Sequence, residues 1–427
     1  MKTLNVGNMI LGQGMPKICI PLTGTDFNDL IDETELIIKS DADIVEWRID
    51  YFNHIEDIKK IKDTLNAIRN ILKQKPLIFT FRSENEGGQK SVPKDYYFEL
   101  YREIIASGQV NLIDVELNNE ENRIKSLITE AHKQGVNVII SNHDFNGTPV
   151  KETILKRLKQ MQDLGADLPK IAVMSHSMED TMRLMDAANT IKEDYSDSLF
   201  ITISMGEKGL ITRICAELLG SALTYTTGRR ASAPGQINAE DLHSMLYNLH
   251  KNLLPKRFFL IGFMGSGKTT IGKILSKEIE YNYWDIDEVI VENKGLSIQE
   301  IFNKKGEEYF RKAESNLLLK LSQLNHVVIS CGGGIVENEI NLKILSESGT
   351  IIFLKENITT IFERIKNDIS RPLVNAGIVD EGQRFRSLQS LYNARLPKYE
   401  RVATIIVETT GKTEIQIAEE IIKKCSR

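Results

Sequence analysis

The chain has 427 residues, 41% hydrophobic and 26% charged, enough for two or three domains of about 100–200 residues each. Its 54 basic and 59 acidic residues leave a net charge of −5, which excludes a polycation built for nonspecific nucleic-acid binding. No window reaches the roughly 18 apolar residues of a membrane helix, and the first eight residues lack the apolar core of a secretory signal. The cysteines at 19, 215, 331 and 425 form no Cys-x-x-Cys pair, so neither a zinc site nor a disulfide framework is expected. The composition predicts a reduced, cytoplasmic protein with no membrane and no nucleic-acid partner.

Short apolar, β-branched runs recur at 17–23, 43–50, 76–82, 112–117, 137–143, 168–175, 199–205 and 222–228. Amphipathic stretches lie between them, at 26–40, 55–73, 95–107, 120–134 and 151–164. Apolar strands alternating with helices predict a parallel sheet covered by helices. Eight repeats in about 250 residues predict a (β/α)8 TIM barrel. Strand count and even spacing favour it over a pair of doubly wound sheets. The segment before the first run reads as a short hairpin closing the barrel floor.

In such a barrel the chemistry sits at the C-terminal ends of the strands. Glu46 and Arg48 are two apart on the second strand and so share a face. Arg82 ends the third strand, and Glu86 follows in the Gly-rich loop Glu86-Gly87-Gly88. His143 ends the fifth strand and Arg213 follows the seventh. Ser232 and Gln236 lie after the eighth, on a Gly/Pro-flanked loop suited to a lid. Each of these has a bland reading as well, such as a structural ion pair, a solvated carboxylate or a packing histidine. Lys170 is different, because it interrupts the apolar strand Leu168-Pro169-Lys170-Ile171-Ala172-Val173. A lysine buried there is costly to keep charged, and a desolvated amine is a nucleophile for Schiff-base chemistry.

At these residues the first 250 or so positions resemble type I 3-dehydroquinate dehydratase. The matching segments are Glu46-Trp47-Arg48, Thr80-Phe81-Arg82, Glu86-Gly87-Gly88, Ser141-Asn142-His143-Asp144, Lys170-Ile171-Ala172 and 228–236. The resemblance implies that Lys170 forms a Schiff base with 3-dehydroquinate and that no cofactor is needed. It implies His143 as general base then acid, with Glu86 orienting its ring. Arg213 takes the substrate carboxylate. Glu46, Arg48, Arg82, Ser232 and Gln236 hold the rest of the ring. A homodimer through the barrel is also expected. A class I aldolase-like barrel is the alternative enzyme reading.

A new pattern starts after a short junction at 252–256, dividing the chain into domains 1–252 and 253–427. An apolar strand at 257–261 runs into Gly262-Phe263-Met264-Gly265-Ser266-Gly267-Lys268-Thr269. This is G-x-x-x-x-G-K-[ST] between a strand and a helix, a P-loop. Gly262, Gly265, Ser266, Gly267 and Thr270 present backbone N–H groups to phosphate oxygens. Lys268 neutralises the β- and γ-phosphates, and Thr269 offers a hydroxyl to Mg²⁺. A single doubly wound parallel sheet fits the remaining length. Asp285 and Asp287 read as two carboxylates on one face of a strand end. Arg311 and Glu314 lie on a helix, where an i, i+3 ion pair is the structural reading. Gly332-Gly333-Gly334 follows the third strand.

Together these segments resemble shikimate kinase over almost all of 257–427. The resemblance implies ATP and Mg²⁺, with Asp287 as the base for the shikimate hydroxyl. It implies Arg311 and Arg395 on the shikimate carboxylate, and Gly333 and Gly334 against the ring. Asp285 assists the metal with Thr269, Arg371 descends with a lid, and Arg364 stacks on adenine. Ile286 departs from the pattern, which more often has a small hydroxyl residue between the two aspartates. Another small-molecule P-loop kinase is the rival here, and either half could be a non-catalytic regulatory module. No G-x-G-x-x-G fingerprint follows any strand, so the ketone reduction between the two implied reactions is assigned to a separate shikimate dehydrogenase.

Overall fold

The computed structural model of the chain describes residues 3–12, 14–194, 199–230, 232–366 and 380–425. It divides into two units, Met1–His250 and Lys251–Arg427. The first begins with an antiparallel hairpin, β1 (Leu4–Val6) and β2 (Met9–Leu11). Eight strands follow: β3 (Lys17–Leu22), β4 (Ile44–Arg48), β5 (Leu77–Thr80), β6 (Leu112–Glu116), β7 (Asn137–Asp144), β8 (Leu168–Met174), β9 (Ile201–Met205) and β10 (Leu223–Tyr225). They form one parallel sheet in the order β10-β3-β4-β5-β6-β7-β8-β9. A parallel bridge between Phe200 and Ser221 draws β9 toward β10. There Ala222 N–H donates to the Phe200 carbonyl at 2.9 Å, and Thr202 N–H to Ser221 Oγ at 3.2 Å. The expected eight-stranded barrel is therefore present and near-closed.

Its floor is apolar. Cys19, Ile44, Ile78, Leu112, Ile139 and Leu168 form one buried cluster, and Val6 and Leu11 of the hairpin belong to it. The hairpin plugs the floor, as its position before the first strand predicts. The helices cover the outside by period. Ile58–Leu72, for instance, is capped by Asp57, which accepts from Lys60 N–H, and buries Ile61, Leu65, Ile68 and Leu72. Each such side chain contributes about 1.5–3 kcal/mol by leaving water.

The second unit holds β11 (Arg257–Ile261), β12 (Asn282–Asp285), β13 (Val327–Ser330), β14 (Thr350–Lys355) and β15 (Ile405–Glu408). They pair in the order β12-β13-β11-β14-β15, all parallel. Two apolar layers, one around Phe259 and Ile329 and one around Phe258 and Leu260, cover the sheet's two faces. This is the expected doubly wound sheet, whose ligand crevice lies at the carboxyl ends of the strands. One expectation changes. Asp285 and Asp287 do not share a strand face, because β12 ends at Asp285 and the helix Ile286–Lys294 begins at once. Asp285 caps that helix by accepting from the backbone N–H groups of Asp287 and Glu288, which places Asp287 in its first turn. Ile286, between them, is fully buried in the apolar layer. Among the described residues no helix is long and apolar enough to cross a membrane.

Candidate active sites

Strands alternate their side chains, and in a closed sheet every second one points inward. Many of the inward positions near the carboxyl ends are polar: Glu46 and Arg48 on β4, Asp114 and Glu116 on β6, Ser141 and His143 on β7, Lys170 on β8; Ala172, Ile203 and Met205 add apolar wall. A cavity opens to solvent there. All nine barrel positions singled out from the sequence line it: Glu46, Arg48, Arg82, Glu86, His143, Lys170, Arg213, Ser232 and Gln236.

Lys170 is only 3% exposed, and its ammonium is held on three sides. It donates to Asp114 Oδ2 at 2.9 Å and to the Tyr225 hydroxyl at 3.0 Å, and Glu46 Oε1 lies at 3.6 Å. Asp114 also meets Arg82 Nη2 at 2.9 Å. Burial alone would disfavour the Asp114 carboxylate, but Arg82 and Lys170 together outweigh it and hold the group ionised far below its usual range.

His143 is held by Glu86. Glu86 Oε2 accepts the His143 backbone N–H at 3.0 Å and lies 3.0 Å from Nδ1. With Nδ1–H as donor, Nε2 carries the free lone pair. Burial pushes the imidazole well below its ordinary range, and the Arg82 and Lys170 cations push the same way. Burial raises the Glu86 carboxyl, and the Arg82 guanidinium opposes it and favours the carboxylate. The ring is therefore neutral at neutral pH and able to take a proton.

Arg213 stands apart from this network. It is 2% exposed. Among the described residues, its Nη1 donates to the Tyr225 carbonyl at 3.0 Å and its Nη2 to the Pro234 carbonyl at 3.3 Å. Its Nε is buried with no partner, and no carboxylate pairs with it among the described residues. Burial lowers its pKa to about 10, so it remains a cation at neutral pH. A buried cation with an unused donor on a cavity wall fits an anionic ligand. By contrast, Arg48 is spent on Asp50, with two bonds of 2.8 Å. Ser232 and Gln236 bond each other: Gln236 Oε1 accepts Ser232 N–H at 2.9 Å, and its Nε2 donates to Ser232 Oγ at 3.1 Å. Asp50, Asp114, Glu116, Ser141 and Tyr225 were not singled out from the sequence. The alternation Ile113-Asp114-Val115-Glu116 was the available signal.

In the second unit the P-loop has the backbone that its glycines allow. Gly262, Gly265 and Gly267 have φ of +151°, +78° and +90°, a region that penalises any Cβ. The helix Lys268–Glu278 starts at the end of the loop, so its unpaired N–H groups face the crevice. Ser266 is buried in the loop, and Thr270 is exposed on the helix's first turn. Lys268 Nζ donates to the Gly262 and Phe263 carbonyls at 2.9 and 3.0 Å. Thr269 Oγ1 donates to Asp285 Oδ2 at 3.0 Å. Arg364 donates to the Gly265 carbonyl at 3.1 Å and pairs with Glu356 at 3.1 Å. Arg371 lies outside the described residues.

A second cluster of charged residues in this unit gathers around Glu314. Its Oε2 pairs with Arg311 Nη1 at 3.0 Å, and its Oε1 is buried without a partner. Burial raises its pKa to about 7, and Arg311, Asp287 and Arg395 all act on it. Arg395 pairs with Glu337 at 3.0 Å. The triple glycine makes this convergence sterically possible. A Cβ on Gly334 would sit 2.5 Å from Arg311 Nη2, and one on Gly333 3.4 Å from the Met264 nitrogen. Gly332, passed over in the sequence, is tight against the site: its Cβ would lie 2.6 Å from Glu314 Oε1 and 2.9 Å from Asp287 Oδ1. Gly332→Ala is expected to destabilise this unit by about 1–3 kcal/mol. A calorimetric scan should show its melting transition lowered and the barrel's unmoved. An unchanged transition would mean that the two carboxylates swing aside freely.

Residues 18–253 match the family model described as type I 3-dehydroquinase, and residues 264–426 the one described as shikimate kinase. A 3-dehydroquinate dehydratase of Syntrophotalea carbinolica is 49% identical over 250 residues, 58% of this chain and 99% of its own length. The crystal structure of a type I 3-dehydroquinate dehydratase from Clostridium difficile aligns at 47% identity. It covers 59% of this chain and all of its own, with a TM-score of 0.58. A shikimate kinase structure from Aquifex aeolicus is 37% identical, covering 39% of this chain and 93% of its own, with a TM-score of 0.33.

Proposed function

Since the chain belongs to the type I 3-dehydroquinase family and carries a fused shikimate kinase domain, we propose that it catalyses two reactions in two separate sites. Domain 1–252 dehydrates 3-dehydroquinate to 3-dehydroshikimate, and domain 253–427 moves the γ-phosphoryl of ATP to the 3-hydroxyl of shikimate. The protein works in the cytoplasm. A separate dehydrogenase reduces the ketone between the two steps.

The observation that supports the first reaction best is the pairing, on one cavity, of a buried lysine with a neutral histidine. The Lys170 amine condenses with the substrate ketone and releases water. The resulting iminium is a better electron sink than the ketone. His143 Nε2 takes the α-proton, and the electron pair moves toward the iminium nitrogen. The same imidazolium then returns the proton to the departing β-hydroxyl, which leaves as water. Hydrolysis frees Lys170. Asp114, Glu46 and Tyr225 hold Nζ in place, Glu86 steadies the imidazolium, and Arg213 binds the carboxylate. Borohydride reduction in the presence of 3-dehydroquinate tests this. The ligand mass should appear on the Lys170 peptide, and a mass on any other lysine would overturn the assignment.

His143→Ala should slow dehydration by about 10²–10⁴-fold while Lys170 still traps ligand. The pH profile follows from the direction of the His143 shift. The base acts as neutral imidazole, and its pKa is depressed. Activity should therefore hold through pH 6.5 and fall only as pH drops below the ordinary imidazole range. An acid limb centred at or above 6.5 would contradict the buried, neutral ring.

For the second reaction, Thr269 and Asp285 present oxygen atoms 3.0 Å apart beside the P-loop, a donor set that fits a hard cation such as Mg²⁺. When bound, Mg²⁺ supplies charge neutralisation between the phosphates. Lys268 binds the phosphates, Asp287 takes the hydroxyl proton, and Arg311 and Arg395 hold the carboxylate. Production of ADP that depends on shikimate is the test.

A further inference from the structure

We propose that Tyr283 is a positioning residue for the metal-side carboxylate of the kinase site, a role that rests on the reading of Asp285 given above. Asp285 is held by both oxygens. Its Oδ1 accepts the backbone N–H groups of Asp287 and Glu288 at 3.0 and 3.3 Å. Its Oδ2 accepts Thr269 Oγ1–H at 3.0 Å and lies 3.2 Å from the Tyr283 hydroxyl. The capping bonds fix the carboxylate's place at the helix start. The two hydroxyls fix the direction of Oδ2, the oxygen nearest the P-loop threonine.

The tyrosine proton has two acceptors in reach, Asp285 Oδ2 and Ser330 Oγ at 2.9 Å. A charged carboxylate is the stronger acceptor. Ser330 has its own proton to give, and Lys268 O lies 3.1 Å from its Oγ. With the Ser330 proton given to Lys268 O, the Tyr283 proton is shared between Asp285 Oδ2 and Ser330 Oγ, and the charge on Asp285 draws it to Oδ2. Space for the ring is built in at Gly272, where a Cβ would come 2.5 Å from Tyr283 Cε2. Ile286, the residue between the two aspartates, is buried and brings no hydroxyl. The phenol of Tyr283 and the hydroxyl of Thr269 are thus the side-chain donors on Oδ2. Groups that orient a metal-side carboxylate commonly control metal affinity by about 10–100-fold.

The test uses the full chain with Tyr283→Phe, which keeps the ring and removes one hydroxyl. Mn²⁺ binding in the presence of ATP is followed by electron paramagnetic resonance, and ATP binding in EDTA by calorimetry. The expected result is a loss of about 10-fold in Mn²⁺ affinity with ATP affinity in EDTA preserved. Equal Mn²⁺ affinity in the variant and the parent would overturn the role. So would a parallel fall in both affinities, which marks general loosening of the site. Ser330→Ala separates the donor from its support: its Mn²⁺ loss should be smaller than that of Tyr283→Phe, and a larger loss would shift the role to Ser330. If the parent chain binds ATP but no Mn²⁺, the reading of Asp285 fails and the proposal falls with it. If the parent's Mn²⁺ binding is normal and the variant matches it, only the tyrosine's role fails.

Discussion

Lys170→Ala abolishes dehydration and borohydride trapping together, while the barrel stays folded and kinase turnover continues. The loss should be on the order of 10⁴-fold or more, because a placed nucleophile is worth effective molarities of about 10⁵–10⁸ M. No neighbouring group replaces it. The cavity's other cations are Arg48, Arg82 and Arg213, and guanidinium groups do not lose a proton to become nucleophiles. The fold should survive because the carboxylates left behind keep partners. Asp114 retains Arg82 at 2.9 Å, and Glu46 retains the Thr80 hydroxyl at 2.9 Å. Removing one member of a buried ion pair commonly costs about 3–5 kcal/mol when the other is orphaned, and here it is not. Lys170→Met, which refills the volume, provides the same test with less cavity. Circular dichroism reports folding, and absorbance of the enone product reports turnover. Trapping that persists in either variant would move the Schiff base to another lysine.

The barrel was legible because its strands are apolar and its helices periodic, so the few polar residues inside strands stood out. Lys170 is the clearest case. Its partner Asp114 was not legible from the chain around Lys170, since the two are 56 residues apart and meet only when β6 and β8 both face inward. Asp50 escaped notice for a related reason: it lies just past β4 and gains importance only by gripping Arg48 and the loop N–H of Gln89, at 3.1 Å. In the second unit the P-loop glycines were readable as a motif, because a positive φ restricts the residue type. The break between Asp285 and Asp287 was not. Ile-rich, acidic sequence suits a strand end as well as a capped helix start, and the cap forms only once the Asp285 carboxylate turns back onto the next two N–H groups. Tyr283 reads as an ordinary strand aromatic until Gly272 and Ser330 are brought beside it.

Lys268→Ala and Asp287→Asn are expected to remove the kinase reaction and leave dehydration intact. The two substitutions strike different parts of one transfer. Lys268 Nζ rests on the Gly262 and Phe263 carbonyls, at 2.9 and 3.0 Å, at the mouth of the phosphate loop. Its loss deprives the migrating phosphoryl group of a cation, a kind of contact commonly worth on the order of 10²–10³ in rate. Asp287 is aimed by its place in the first turn after the Asp285 cap, with Gly332 close against its carboxylate. Asparagine keeps that shape but cannot accept the hydroxyl proton, a role typically worth about 10²–10⁴-fold. The split between binding and chemistry distinguishes them: Lys268→Ala should weaken ATP binding, and Asp287→Asn should spare it. Neither residue lies in the barrel, and among the described residues those lining the barrel cavity all belong to the first unit. Assaying both activities in each variant decides the matter. Normal phosphorylation in Asp287→Asn would reassign the base, with the buried Glu314 carboxyl, raised to about 7, as the next group to remove. A fall in dehydration in Lys268→Ala would show that the nucleotide loop communicates with Lys170, and the two sites would have to be treated as one coupled machine.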